Sequence, residues 1–140
     1  MSDGISNKQL GPLSRVVLEF DRTIKRLVEK AKQPGFTLAD WAPLANLVAV
    51  EEFSRIGVWR EEMNWQEYIE FLTKWATSTT FDDTLRRITE VSNLVFFEIQ
   101  ERNGGADDAG EVVPVNTNTV FEFNDAGKIR HLDVYIQGRF

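Results

Sequence analysis

The carboxyl-terminal part of the sequence contains two segments rich in β-branched and aromatic residues, 115–124 and 128–137. Only Asp125-Ala126-Gly127 separates them. Gly adopts positive φ without steric cost, and Asp can hydrogen-bond to the backbone of its own turn, so both suit a tight reversal between paired strands. The sequence therefore predicts an antiparallel hairpin over residues 115–137.

Three segments of the first half of the chain have helical patterns. Apolar residues recur at three- and four-residue spacing over residues 13–32, and Pro34-Gly35 ends the predicted helix. Thr37 and Asp40 are spaced almost as in a capping box, which predicts a second short helix that Pro43 ends or kinks. Residues 64–67 form a better capping box, followed by apolar residues at helical spacing, and they predict a third helix.

Strand composition dominates the remaining segments. The run 47–53 is rich in Val and predicts a strand, and Gly57 breaks a short return strand around residues 56–59. After the third helix, β-branched and aromatic residues predict four successive strands, with Ser92-Asn93 as the turn between the first two. These strands cover residues 84–91, 94–102, 112–124 and 128–137.

The order of predicted elements is helix, helix, strand, strand, helix and then four strands. An α+β chain of this kind must cover the apolar face of its sheet with its helices. We therefore expect a curved, mostly antiparallel sheet wrapped around three helices, in a single domain over residues 1–140. The start of the chain, residues 1–10, and the acidic, Gly-rich segment 104–110 are expected to be flexible.

Composition excludes several classes of function. A formal net charge of −6 disfavours nucleic acids and anionic membranes as partners, because both attract clustered Lys and Arg. The sequence contains neither an apolar run long enough to span a membrane nor a signal peptide, and with no Cys we expect a cytoplasmic protein. One His and no phosphate-binding loop leave no basis for a metal site or a nucleotide, so no cofactor is expected.

The sequence resembles a known superfamily at the hairpin. The run Phe121-Glu122-Phe123-Asn124-Asp125-Ala126-Gly127-Lys128-Ile129 is similar to the closing hairpin of SnoaL-like and ketosteroid-isomerase-like proteins, a branch of the nuclear transport factor two-like (NTF2-like) superfamily. The order of elements over residues 13–137 is also similar. The resemblance implies a cystatin-like, cone-shaped α+β barrel with a cavity between sheet and helices, and a small hydrophobic molecule as its occupant.

Glu52 is the main candidate for catalysis. In the predicted first strand, alternation places Glu52 on one face with Val48 and Val50, and Glu51 on the other face. A carboxyl group among apolar neighbours has a raised pKa and can act as a general base, whereas glutamates at a solvated strand end would not. The run Val50-Glu51-Glu52 resembles the Val-Glu-Asp run of the ketosteroid isomerases, which implies that Glu52 is the base.

The resemblance also indicates where groups that hold an enolate should lie. The position of the neutral Asp of the isomerases falls on Thr119, whose hydroxyl can donate one hydrogen bond. The first predicted helix contains no Tyr, and Asp21 is the polar residue nearest to its apolar face. Authentic 3-ketosteroid isomerisation is therefore not expected. A different lyase or hydrolase remains open, with Glu52 as base and Thr119 or Arg87 polarising the substrate.

The last predicted strand has two different faces. His131 and Asp133 share a face with Tyr135, and a carboxylate there could orient the imidazole as in a catalytic dyad. The opposite face is more apolar and should point to the core. We therefore favour an outer face for His131, Asp133 and Tyr135. In related proteins this face is often a dimer surface, so a homodimer is expected.

The cavity walls should come from aromatic and aliphatic residues, which suit an apolar ligand. The candidates are Trp59, Tyr68, Trp75, Phe121, Leu132, Val134 and Ile136. Two functions follow. The first is a cofactor-independent proton-transfer enzyme of the isomerase, cyclase, dehydratase or epoxide hydrolase type, acting on a small hydrophobic substrate. The second is a non-catalytic module that binds such a ligand or dimerises.

Overall fold

The computed structural model describes residues 10–102 and 113–138, which form helices packed on a six-stranded sheet. The helices are α1 (Pro12–Lys30), a 3-10 helix (Leu38–Trp41), α2 (Ala42–Ala45) and α3 (Trp65–Thr77). The strands are β1 (Ser54–Ile56), β2 (Glu62–Met63), β3 (Asp82–Val91), β4 (Leu94–Arg102), β5 (Val115–Phe123) and β6 (Ile129–Gln137).

Helix α1 follows its predicted apolar spacing and buries one face against the sheet. Its first turn is closed by a residue from another element, because Glu90 of β3 accepts hydrogen bonds from the backbone and the hydroxyl of Ser14, both 2.8 Å long. A Cβ at Gly11 would lie 2.5 Å from the Glu90 carboxylate. Glycine at position 11 therefore allows this carboxylate to reach the helix amino terminus.

The predicted second helix is confirmed as a 3-10 turn, and Pro43 does not end it. The Thr37 amide donates to the Asp40 carboxylate over 2.8 Å, as in a capping box. Pro43 lies in the first turn of α2, where its missing N–H costs no hydrogen bond. The buried Trp41 indole donates to the Thr73 hydroxyl of α3 over 2.8 Å, which joins this corner to the third helix.

Helix α3 begins as predicted. The Asn64 side chain accepts from the Glu67 amide and the Glu67 side chain accepts from the Asn64 amide, each over 2.9 Å. These reciprocal bonds satisfy two backbone donors that a helix start leaves without partners. The helix then buries Tyr68, Ile69 and Leu72 against the core.

The sheet has the strand order β2-β1-β6-β5-β4-β3, and it is curved and unclosed. All neighbours are antiparallel except β1 and β6, which are parallel. The predicted β5–β6 hairpin is confirmed. Gly127 has φ 76°, and the Asn124 side chain accepts from the amides of Ala126 and Lys128, each over 3.0 Å.

The predicted strand over residues 47–53 is wrong. Val48 makes a single isolated bridge to Ile129, and the chain then turns before β1 begins at Ser54. The return strand also starts later than predicted, at Glu62, after a turn in which Arg60 has φ 65°. A short Val-rich run has no local feature that fixes pairing, and here the parallel partner β6 decides which residues become β1.

The core lies between α1, α3 and the inner face of the sheet. Within the described residues, no helix is long and apolar enough to cross a membrane. The predicted flexible segments 1–10 and 104–110 lie outside the described residues, apart from Leu10.

Candidate functional site

A partly open cavity of about 230 Å³ lies between the helices and the inner face of the sheet. Of the predicted wall residues, only Trp59 is absent from it, because Trp59 lies in the turn after β1 and is 80% exposed. The other six predicted wall residues line the cavity. The apolar lining is Phe20, Ile24, Phe71, Leu72, Trp75, Phe81, Phe97, Ile99, Phe121, Leu132, Val134 and Ile136.

Aromatic contacts fix the shape of one wall. Phe121 of β5 packs edge-to-face on Phe20 of α1 with ring centroids 5.4 Å apart, and on Phe97 of β4 at 6.1 Å. Such edge-to-face pairs are favoured by the aromatic quadrupole, and each ring limits the rotation of the next. This part of the wall is therefore apolar, and its shape is held by ring-to-ring contacts.

Asp21 is the most strongly perturbed titratable group in this cavity. It lies on α1 and is 9% exposed. Burial, a hydrogen bond with Asp83 and the repulsion of that second carboxylate raise the pKa of Asp21 to about 8, against the opposing attraction of Lys25. At neutral pH, Asp21 is therefore mostly a neutral carboxylic acid that can donate a hydrogen bond.

Lys25 connects the two carboxylates. Its Nζ lies 3.1 Å from Asp21 Oδ2, and it also forms an ion pair with Asp83 of β3. Burial disfavours the charged amine, but the hydrogen bond to Asp83 and the attraction of both carboxylates outweigh it and raise the pKa of Lys25. With Asp21 protonated, the cluster carries one positive and one negative charge, which lowers the cost of burying it.

Arg55 of β1 brings a cation to the same cavity. Its Cζ lies 5.5 Å from the ring centroid of Tyr68 and 5.3 Å from that of Phe71. Its Nη1 is buried and has no hydrogen-bond partner among the described residues. The nearest carboxylate oxygen that forms an ion pair with it, from Glu61, is 3.9 Å away.

In addition to Thr119, the polar residues Tyr68, Thr117 and Glu101 line the cavity. Tyr68 is 5% exposed, and burial raises its pKa to about 12, so its hydroxyl stays protonated. The Thr117 hydroxyl donates to the Glu101 carboxylate, and both residues line the cavity. The predicted enolate-holding residues Asp21 and Thr119 thus share one cavity, with Tyr68 as an additional donor.

Glu52 does not have the apolar surroundings expected for it. Its side chain is exposed and accepts a hydrogen bond from Asn124 Nδ2 over 3.1 Å. It lines a shallow polar recess with Ser54, Glu122, Arg130 and His131, outside the apolar cavity. The reason is that Glu52 belongs to a turn before β1, so the alternation of a strand does not apply to it.

The remaining predicted site residues also lie away from the cavity. Arg87 is exposed and pairs with Glu98 over 2.7 Å, so it cannot polarise a molecule in the cavity. His131 contacts Ser54 Oγ through Nδ1 at 2.6 Å and Asp133 Oδ1 through Nε2 at 3.0 Å. Leu132, on the same strand, lines the cavity. The alternation of β6 therefore places His131 and Asp133 on the opposite face.

Five polar residues of the site were not identified from the sequence: Lys25, Arg55, Asp83, Glu101 and Thr117. Lys25 had a visible signal, since it lies four residues after Asp21 and so shares its helix face. The others lie on strands: the pairing of β1, β4 and β5 brings Arg55, Glu101 and Thr117 to the cavity, and Asp83 of β3 contacts Lys25 and Asp21 beside it. Among the described residues, no cluster of three His, Cys, Asp or Glu could hold a metal ion.

Comparison of the sequence with protein-family models gives no match, and no curated protein matches it. Solved structures do match, and they show that the chain has the NTF2-like fold. One is a protein from Shewanella putrefaciens named as a SnoaL-like polyketide cyclase (TM-score 0.70, 8% identity, 94% of this chain and 83% of that chain covered).

Two further structures represent other members of this fold. An NTF2-like protein of unknown function from Cytophaga hutchinsonii has a TM-score of 0.64 at 14% identity, with 93% of this chain and 94% of that chain covered. A LEH-like epoxide hydrolase from M. tuberculosis has a TM-score of 0.64 at 15% identity, covering 89% and 82% respectively. At these identities the likeness confirms the predicted fold and carries no activity to this chain.

Proposed function

We propose that the cavity binds a small apolar carbonyl compound and that Asp21 transfers a proton at the carbon next to the carbonyl group, without a cofactor. The observation that carries this proposal is the Asp21 carboxyl, buried in an apolar cavity with a pKa raised to about 8. A pKa close to neutrality suits a group that must both take and return a proton in one catalytic cycle.

Asp21 would act first as a base. Its ionised form removes a proton from carbon, and the resulting acid then returns that proton to a different position of the substrate. With a pKa of about 8, roughly one tenth of the molecules carry ionised Asp21 at pH 7. Lys25 offsets the negative charge of that form, because its Nζ lies 3.1 Å from Asp21.

The hydroxyls of Thr119 and Tyr68 are the neutral donors that would bind the developing enolate oxygen. Both line the cavity, and a buried hydroxyl that meets a growing negative charge stabilises the transition state more than the ground state. Glu52, the base implied by the sequence resemblance, lies outside the cavity, and Asp21 takes that role here.

The cavity size limits the substrate. An apolar cavity of about 150 Å³ accepts one benzene ring, so about 230 Å³ fits one ring with substituents or two small fused rings. Solved structures of the same fold include proteins named as a SnoaL-like polyketide cyclase and a LEH-like epoxide hydrolase. Both names refer to small oxygenated molecules and support this substrate class by analogy.

The proposal can be tested with 2-tetralone, a fused two-ring ketone with exchangeable protons next to its carbonyl group. In D₂O the protein is expected to accelerate their exchange, measured by proton NMR against the protein-free buffer. Because the base form of Asp21 is required, kcat/KM should rise with pH up to about 8 and then level off. No acceleration, or a rate independent of pH over this range, would contradict the proposal.

Binding without chemistry is the second candidate. The observation that favours it is that Asp21 already contacts Lys25 and Asp83, an arrangement that could serve the stability of the fold alone. In that case 2-tetralone would bind in the cavity and protect the protein against thermal unfolding, while its exchange rate would equal that of the buffer.

We also propose that the outer face of the sheet forms a homodimer. Tyr135 of β6 is 58% exposed beside His131 and Asp133, and a large exposed aromatic residue on a sheet face is typical of an interface. If so, Tyr135→Glu should convert a dimer to a monomer in light scattering after size exclusion, whereas Arg22→Glu, on α1 and 63% exposed, should not. A monomeric unsubstituted protein would refute the dimer.

A further inference from the structure

We propose that the cavity prefers ligands that carry a carboxylate, and that Arg55 binds this group. The inference rests on the proposed function only in requiring that the cavity hold a small molecule. Its starting point is the guanidinium of Arg55, which lines the cavity and has a buried Nη1 without a hydrogen-bond partner among the described residues.

The guanidinium is held in place by aromatic rings. Its Cζ lies 5.5 Å from the ring centroid of Tyr68 and 5.3 Å from that of Phe71, and the side chain is 12% exposed. Cation–π contacts orient the plane of a guanidinium but leave its N–H groups available to an acceptor. Arg55 is therefore both fixed and incompletely satisfied.

The nearby carboxylate of Glu61 does not accept a hydrogen bond from Arg55 Nη1. Glu61 approaches Arg55 Nη1 only to 3.9 Å, which is an ion pair without a hydrogen bond. Glu61 is also 42% exposed, and its Oε1 accepts from the Trp59 amide over 2.9 Å. A ligand carboxylate could instead form two parallel N–H···O bonds with the guanidinium fork, a geometry that Arg provides and Lys does not.

The other titratable groups of the cavity decide whether an anion is tolerated. Asp21 is mostly neutral below pH 8, and Tyr68 stays protonated there. Glu101 carries a carboxylate and accepts a hydrogen bond from Thr117. Among the described residues that line the cavity, an incoming carboxylate therefore meets the cation of Arg55 and the carboxylate of Glu101, while Lys25 and Asp83 pair with each other behind Asp21. It gains only if it binds close to Arg55.

The apolar lining of the cavity determines the chemical character of the rest of the ligand. Aromatic and aliphatic side chains form most of the wall, so a free inorganic anion would lose hydration there without gaining contacts. The ligand class that fits both features is a small aromatic or alicyclic acid, with its ring in the cavity and its carboxylate at Arg55.

The test compares 2-naphthoate with 2-naphthamide, which differ only in the charged group. Isothermal titration at pH 7 and low salt should show naphthoate binding at least about tenfold more tightly than naphthamide, a difference typical of a charge-assisted bidentate bond. Arg55→Met should weaken naphthoate to the affinity of naphthamide and leave naphthamide unchanged. Arg55→Lys, which keeps the charge without the fork, should give an intermediate value.

A second variant should increase the affinity for the acid instead of lowering it. Glu61→Gln removes the competing anion from Arg55 without changing a residue of the cavity wall, so naphthoate should bind more tightly and naphthamide equally. Thermal melting identifies any variant that is not folded, and Arg55→Lys then serves in place of Arg55→Met.

The outcomes separate the two proposals. Equal affinities for acid and amide, or an acid preference that survives Arg55→Met, would overturn the role of Arg55 and leave the ligand cavity standing. Failure of both compounds to bind would overturn both proposals. An acid preference together with the absence of proton exchange in 2-tetralone would support the Arg55 site and contradict the catalytic role of Asp21.

Discussion

Asp21→Asn is expected to abolish the acceleration of proton exchange in 2-tetralone and to leave the protein folded. Asn has the shape of a protonated Asp, so its amide can donate to Asp83 and its carbonyl can accept from Lys25, as Asp21 does in its neutral form. It cannot take a proton from carbon. The rate should fall by about 100-fold or more, the usual contribution of a positioned acid or base.

The same substitution should change how stability depends on pH. Because the native pKa of Asp21 is about 8 and the ordinary value is 3.8, the native state binds one more proton than the unfolded state between these values. The stability that this proton contributes is complete below about pH 4 and is lost progressively as pH rises from there through about 8. Asp21→Asn cannot lose a proton there, so it should melt higher than the unsubstituted protein above pH 8, by roughly 10 °C or more.

Melting curves at several pH values between about 5 and 9 would measure this effect. Asp82→Asn is a matched control, because Asp82 lies next to Asp83 on β3 but is 67% exposed and pairs with Arg102 on the surface. Its melting temperature should follow that of the unsubstituted protein at every pH. If the melting temperature of Asp21→Asn also follows that of the unsubstituted protein at every pH, Asp21 does not bind an extra proton in the native state.

Val134→Phe is expected to weaken the binding of both 2-naphthoate and 2-naphthamide. Val134 lies on β6 and lines the cavity, so an additional ring there occupies the space that the ligand needs. The affinities of both compounds should fall by about tenfold or more. This pattern differs from that of Arg55→Met, which should affect the acid alone.

Tyr135→Phe provides the control for this substitution. Tyr135 is the next residue of the same strand, but it is 58% exposed and does not line the cavity, so removal of its hydroxyl should leave both affinities unchanged. Filling part of a cavity seldom costs more than about 1 to 3 kcal/mol, and melting curves would verify that Val134→Phe is folded. Unchanged binding by Val134→Phe would place the ligand elsewhere.

The elements that could be predicted from the sequence are those with local determinants. The capping box of Asn64 and Glu67 is complete within four residues, and the β5–β6 turn depends on Gly127 and on its neighbours. In contrast, β1 has only three residues, and it exists because it pairs with β6, whereas local composition predicts a strand in the Val-rich run before it. The same error in the position of the strand predicts an apolar strand face for Glu52, which in fact lies in an exposed turn.

The candidate site could be predicted only in part, for a related reason. Asp21 was identifiable as a polar residue near the apolar face of a helix, and alternation in β6 identified the inward face of Leu132, Val134 and Ile136. The contact of Asp21 with Asp83 joins α1 to β3, and no spacing in the sequence encodes it. The position of Arg55 in the cavity likewise depends on the pairing of β1 with β6, which no spacing in the sequence encodes.

The position of β6 in the sheet has a consequence for biosynthesis. β6 separates β1 from β5, and it is the last of the described strands to leave the ribosome. Until then, β1 has only its two-residue ladder with β2, and the nascent chain exposes the apolar surface that later becomes the cavity wall. The sheet is therefore completed, and the cavity becomes able to bind a ligand, in the same step. A ligand can stabilise only chains that have already been synthesised through β6.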